Sequence, residues 1–130
     1  ERLARQGNVE VLTAWTNHAT GRPAAISNDR LAQLAQDSLP IQISGAAIQF
    51  QINRTSRGWL LELINNAGVI KRKDQPAVVD PGALARVRLK AKSPCQSATA
   101  LRANQRQENP GEIEIAIGPG AVEFVEFVCQ

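Results

Sequence analysis

The sequence predicts a mainly β protein: an antiparallel β-sandwich of about six or seven short strands, with one amphipathic α-helix packed near the N-terminus. Three observations carry this. Apolar and polar residues alternate with a period of two in several short runs, among them Ile48-Gln49-Phe50-Gln51-Ile52 and Ile113-Glu114-Ile115-Ala116-Ile117. Turn-forming sets such as Asn65-Asn66-Ala67-Gly68, Asp80-Pro81-Gly82 and Gly118-Pro119-Gly120 punctuate those runs. A strong helical spacing occurs once, at residues 28–38.

Taken in order, residues 1–7 read as the tail of a helix stopped at Gly7. Residues 9–15, Val-Glu-Val-Leu-Thr-Ala-Trp, read as a strand. Residues 17–26, with Gly21 and Pro23, read as a loop. Ser27, Asn28 or Asp29 can cap the helix that follows, because a short side-chain oxygen accepts a free first-turn N–H. Leu31, Leu34, Ala35 and Leu39 make its apolar stripe, with Leu31, Leu34 and Leu39 expected to lie against the sheet or its end, and Pro40 ends it.

Residues 46–64 read as a β-hairpin turning at Thr55-Ser56-Arg57-Gly58. Its first strand has a wet face of Gln49, Gln51 and Asn53. Its return strand, Trp59 to Ile64, is more uniformly apolar, as a central or doubly covered strand would be. A charged link, 71–76, leads to a short strand at Ala77-Val78-Val79. In 84–92, Leu84, Val87, Leu89 and Ala91 alternate with Arg86, Arg88, Lys90 and Lys92, and the spacing from Leu84 to Val87 suggests a bulge. Residues 97–110 are polar and ambiguous. Ile113 to Ile117 and Val122 to Val128 are the last strands, with a second bulge expected near Phe124–Val125.

At 130 residues and 43% hydrophobic composition, the chain has the size and apolar content of one packed domain. No apolar run is long enough to span a bilayer, no leader pattern is visible, and no membrane partner is expected. The chain opens Glu-Arg-Leu and contains no methionine, which reads as a piece of a longer protein. The net charge of +3 is diluted by Glu112, Glu114, Glu123 and Glu126, so no concentrated nucleic-acid footprint stands out.

Candidate chemistry is sparse. His18 sits in a polar loop with no acid–base partner nearby in sequence. Glu112 and Glu114 share one strand's outer face, and Glu123 and Glu126 read as surface groups, so no carboxylate pair converges for glycoside hydrolysis. Cys95 and Cys129 are too far apart for a Cys-x-x-Cys motif. They can form a disulfide in an oxidising compartment or remain two thiols, and the sequence leaves both open. With one histidine, neither a metal site nor a cofactor is expected.

The sharpest charge pattern is Arg86-x-Arg88-x-Lys90-x-Lys92. Period two puts all four on one strand face, about 6.8 Å apart. That row can track a polyanion or serve as a solvated, aggregation-resistant face. It has no aromatic interleaving for base stacking, so no nucleic-acid partner is expected. Trp59 opens an apolar strand and reads as a core or rim packer. Asn53-Arg54-Thr55 matches the N-glycosylation pattern.

The segments Leu39-Pro40-Ile41, Ile48-Gln49-Phe50, Gly58-Trp59-Leu60-Leu61, Leu63-Ile64-Asn65-Asn66-Ala67-Gly68-Val69 and Lys71 carry a resemblance, as does the closing Ile-Gly-Pro-Gly-Ala-Val-Glu-Phe. Together they resemble the C-terminal β-sandwich accessory region of large secreted bacterial proteins related to glycoside hydrolases, especially β-galactosidase-like ones. The Trp59…Asn65-Asn66-x-Gly68 block is the most specific part. The resemblance implies that residues 1–26 are a linker or the tail of a preceding α/β domain and 27–130 the sandwich with its leading helix. It implies a secreted or periplasmic setting, catalytic acids on a separate domain, and partners that are other domains of the parent chain.

The expected function is therefore a non-catalytic accessory domain that braces a larger carbohydrate-active protein, not an enzyme in itself. The alternative is a polysaccharide-binding module, with an anionic glycan as the candidate ligand. Trp59, Asn65, Asn66, Arg86, Arg88, Lys90 and Lys92 are the candidate contacts.

Overall fold

The computed structural model describes residues 16–17, 22–23 and 27–129. The chain divides into two compact units, residues 1–37 and 38–130, so the division falls at the end of the helix rather than ahead of it. The helical reading of 1–7 and the strand reading of 9–15, with Trp15 and His18, lie outside the described residues.

In the first unit, strand β1 (Thr16–Asn17) pairs antiparallel with β2 (Arg22–Pro23); all but Thr16 fall inside the 17–26 stretch that the sequence reads as a loop. Helix α1 spans Asn28–Ser38, the span its spacing predicts. Ser27 is the cap: its Oγ accepts the Arg30 N–H at 3.2 Å. Leu31, expected on the buried stripe, is 49% exposed.

The second unit is an antiparallel β-sandwich whose described residues form ten strands, eight of them in its two sheets, more than the six or seven expected. They are β3 (Ile41–Gly45), β4 (Gln49–Thr55), β5 (Gly58–Ile64), β6 (Val69–Ile70), β7 (Val78–Val79), β8 (Ala85–Ala91), β9 (Cys95–Ala100), β10 (Gln105–Glu108), β11 (Ile113–Ile117) and β12 (Val122–Cys129). Five form one sheet in the order β10-β9-β12-β5-β4, and three form the other, β11-β8-β3. β6 and β7 make a separate two-stranded ribbon.

The inner faces share one core. The small sheet supplies Ile41, Val87, Leu89, Ile113, Ile115 and Ile117; the large one supplies Leu61, Leu63, Val125 and Phe127 with the alanines of β9. Phe127 is opposed by Ala98 on one side and Trp59 on the other, so its ring lies beside a small residue on β9. A five-stranded sheet faces a three-stranded one, and the edge strand β4 is the less covered for it: Phe50 is 43% exposed.

Gly58 begins β5 at φ +146°, and a Cβ there would collide with the Phe127 carbonyl oxygen, so the hairpin turn requires glycine.

Three expectations change. β8 runs without a bulge: Ala85, Val87 and Leu89 are the inward set, and Leu84 is 44% exposed. β12 is regular across Phe124–Val125, because Glu123 and not Phe124 points inward with Val125 and Phe127. The irregularity lies at Val128/Cys129 instead. Residues 97–110 hold most of β9 and all of β10.

Candidate functional site

The predicted contacts fall into three separate places. Trp59 and Asn65 lie six residues apart on or just beyond β5, about 20 Å at strand rise, and the cationic row lies on the other sheet. The structure does not bring them together.

The spacing holds on the strand for three of the four: Arg86, Arg88 and Lys90 are exposed on β8, alternating with buried Ala85, Val87 and Leu89, while Lys92, also exposed, lies just past the strand's end, because β8 stops at Ala91. β8 is the middle strand of its sheet, so the charges do not guard an edge. On one side lie Glu112, just before β11, and Glu114 on it. The Arg88 Nε donates to Glu114 Oε2 at 3.2 Å; the approaches of Arg88 to Glu112 at 3.9 Å and Arg86 to Glu114 at 4.0 Å are looser. On the other side, β3 places Ser44 opposite Arg88 and Gln42 opposite Lys90. Ser44, Gly45, Arg86, Arg88 and Glu114 line a hollow of about 340 Å³.

Trp59 is half-buried against the core, and the Arg54 guanidinium lies over its ring, 5.7 Å from the centroid. It is a rim packer, as its place at the start of an apolar strand suggests, and not a bare platform for a sugar ring. Cys95 and Cys129 form a disulfide between β9 and β12, which resolves the alternative that the sequence leaves open. Ser56, Ser93 and Cys129 border a hollow with Trp59 and Arg54 at this end of the sandwich.

At the opposite end, Asn65 is fully buried and unavailable to a ligand. Its Nδ2 donates to the carbonyls of Ala83 (2.8 Å) and Ile117 (3.0 Å), and its Oδ1 accepts the Ala67 N–H at 3.0 Å. One side chain thus ties three segments at the mouth of the core. Asn66 is exposed and donates to Gln49 Oε1 at 2.8 Å. It borders a hollow with Val69, Lys71 and Val79 of the β6–β7 ribbon.

Glu123, expected at the surface, is 5% exposed. Its carboxylate accepts the N–H groups of Arg102, Ala103 and Phe124 at 2.8–2.9 Å, clamping the β9–β10 turn. The sequence signal for this inward acid was the period of β12 itself: Glu123, Val125 and Phe127 alternate. Glu126 does face outward, paired with Arg57 at 2.7 Å. Asn53, of the glycosylation pattern, is exposed on β4.

Among the described residues, no group of three or more His, Cys, Asp or Glu is placed to hold a metal ion, and no helix is long and apolar enough to cross a membrane. Compared with family models, with curated proteins and with solved structures, the chain matches none.

Proposed function

We propose that the 38–130 sandwich is a non-catalytic accessory domain that braces a larger carbohydrate-active protein. The observation that carries this is how its buried polar side chains are used. Asn65 and Glu123 direct their hydrogen bonds to backbone groups of neighbouring turns, holding the ends of the sandwich rather than lining a cleft. The link to carbohydrate-active proteins rests on the resemblance of the Trp59…Asn65-Asn66-x-Gly68 block. The disulfide favours an oxidising, extracellular or periplasmic setting.

The test is turnover by the purified chain on a panel of chromogenic glycosides. No hydrolysis is expected. Hydrolysis that disappears on replacing Glu112 or Glu114 would overturn the reading, since it would make one of those acids catalytic.

A second reading, a polysaccharide-binding module, is favoured by one specific feature: the row of exposed cations Arg86, Arg88 and Lys90 along β8, continued by Lys92 just past its end.

A further inference from the structure

We propose that the outer face of the three-stranded sheet is a binding track for a thin acidic polysaccharide bearing sulfate or carboxylate groups, read by Arg86, Arg88, Lys90 and Lys92. This rests on the polysaccharide-binding reading and narrows it to one face and one ligand class.

The track is a rigid ruler. β8 pairs with β11 over Ala85–Leu89 and with β3 over Val87–Ala91, with no slip in either register, so Arg86, Arg88 and Lys90 repeat every two residues, about 6.8 Å apart, and Lys92 follows just past the strand's end. The two flanks differ. Glu112 just before β11 and Glu114 on it repel a polyanion, whereas Gln42 and Ser44 on β3 offer neutral hydrogen-bonding groups beside Lys90 and Arg88. The ligand therefore runs over β8 and β3, with its anionic groups on the cations and its hydroxyls toward the amide and the serine.

The acids also prepare the site. Glu114 holds Arg88 through Nε, the side edge of the guanidinium, so the terminal two-nitrogen fork is not what makes that hydrogen bond. Both partners are well exposed, with side chains at 60% and 49%. An exposed pair of this kind is weak, and a sulfate or carboxylate group can compete for the guanidinium. A single-stranded nucleic acid is the other thin polyanion. It is disfavoured because no aromatic side chain lies on this face to stack a base.

The test measures binding of a size-defined heparin oligosaccharide and of polygalacturonate, with neutral dextran and a single-stranded oligonucleotide of equal charge as comparators. Binding of at least one acidic glycan is expected to fall with salt at a log–log slope of about −2 to −3, the value for three or four released counterions on a thin chain. Arg88→Ala with Lys90→Ala is expected to weaken it more than about tenfold with an unchanged melting temperature. Glu114→Gln is expected to tighten it, by freeing Arg88. Replacing Lys71, Arg72 and Lys73 together with alanine, in the link between β6 and β7, is expected to leave it unchanged.

Absence of salt-sensitive glycan binding overturns the proposal, as does wild-type affinity in the Arg88/Lys90 variant or loss of binding in the ribbon variant. Tighter binding of the oligonucleotide than of either glycan also overturns it and makes the face a nucleic-acid site. Dextran binding that ignores the Arg88/Lys90 change would sink the track and leave the broader polysaccharide-binding reading standing.

Discussion

Replacing Asn65 with alanine removes three hydrogen bonds at once from a side chain with no solvent exposure. A net contribution of about 1 kcal/mol per bond gives a loss of about 3 kcal/mol, and more if the Ala83 and Ile117 carbonyls stay dry. For a unit of this size that lowers the melting temperature by roughly 12–24 °C. Urea unfolding followed by tryptophan fluorescence should show a lower midpoint with an unchanged slope, since the surface exposed on unfolding is the same. Asn65→Asp sharpens the test. At neutral pH it places a carboxylate against two carbonyl oxygens, where burial and those acceptors both favour the protonated form. Its folded state then binds protons more tightly than its unfolded state. Stability relative to wild type is therefore highest below the unfolded carboxylate range and falls as pH rises through the folded value. A loss below about 1 kcal/mol for the alanine variant would refute the reasoning, because it would mean water satisfies all three backbone groups as well as Asn65 does.

Two further outcomes follow from side chains that close turns or loops. Reduction, or Cys95→Ser with Cys129→Ser, should cost about 4 kcal/mol, the chain-entropy value for residues 34 apart in sequence; a midpoint insensitive to dithiothreitol would contradict it. Glu123→Ala strands the N–H groups of Arg102 and Ala103 and should cost about 2–4 kcal/mol, with faster amide exchange at those two positions in an NMR or mass-spectrometric measurement. Unaltered exchange there would show that the carboxylate is not the clamp.

What the sequence disclosed was periodicity, and what it concealed was direction. The hairpin at 46–64, helix α1, β11 and the outward row of β8 were legible because long apolar residues or charges recur at the right interval. β9 escaped notice because its inward residues are Ala98 and Ala100, small side chains with little strand propensity of their own, which suit a position opposite Phe127. β3 escaped because five residues ending in glycine give too little pattern. The misplaced bulge in β12 came from assigning phenylalanine to the interior and glutamate to water. The opposite orientation holds at Glu123 because three backbone donors wait there, and no local pattern announces the two that come from a turn some twenty residues away. The same limit applies to the site residues. Alternation put four cations on one face, but it could not show that Asn65 belongs to the interior or that Arg54 covers Trp59.

β12 lies third of five in its sheet, yet it comes last in sequence among the described strands of the sandwich, and its partner on β5 comes about sixty residues earlier. A nascent polypeptide halted after residue 121 would hold β9 and β5 with nothing to bridge them, so the large sheet has to wait for residues 122–129. Long-range closure of this sort is slow. Until it happens, two apolar strand edges stand open, which makes the interval before the last strand arrives the moment when a holding chaperone would matter most.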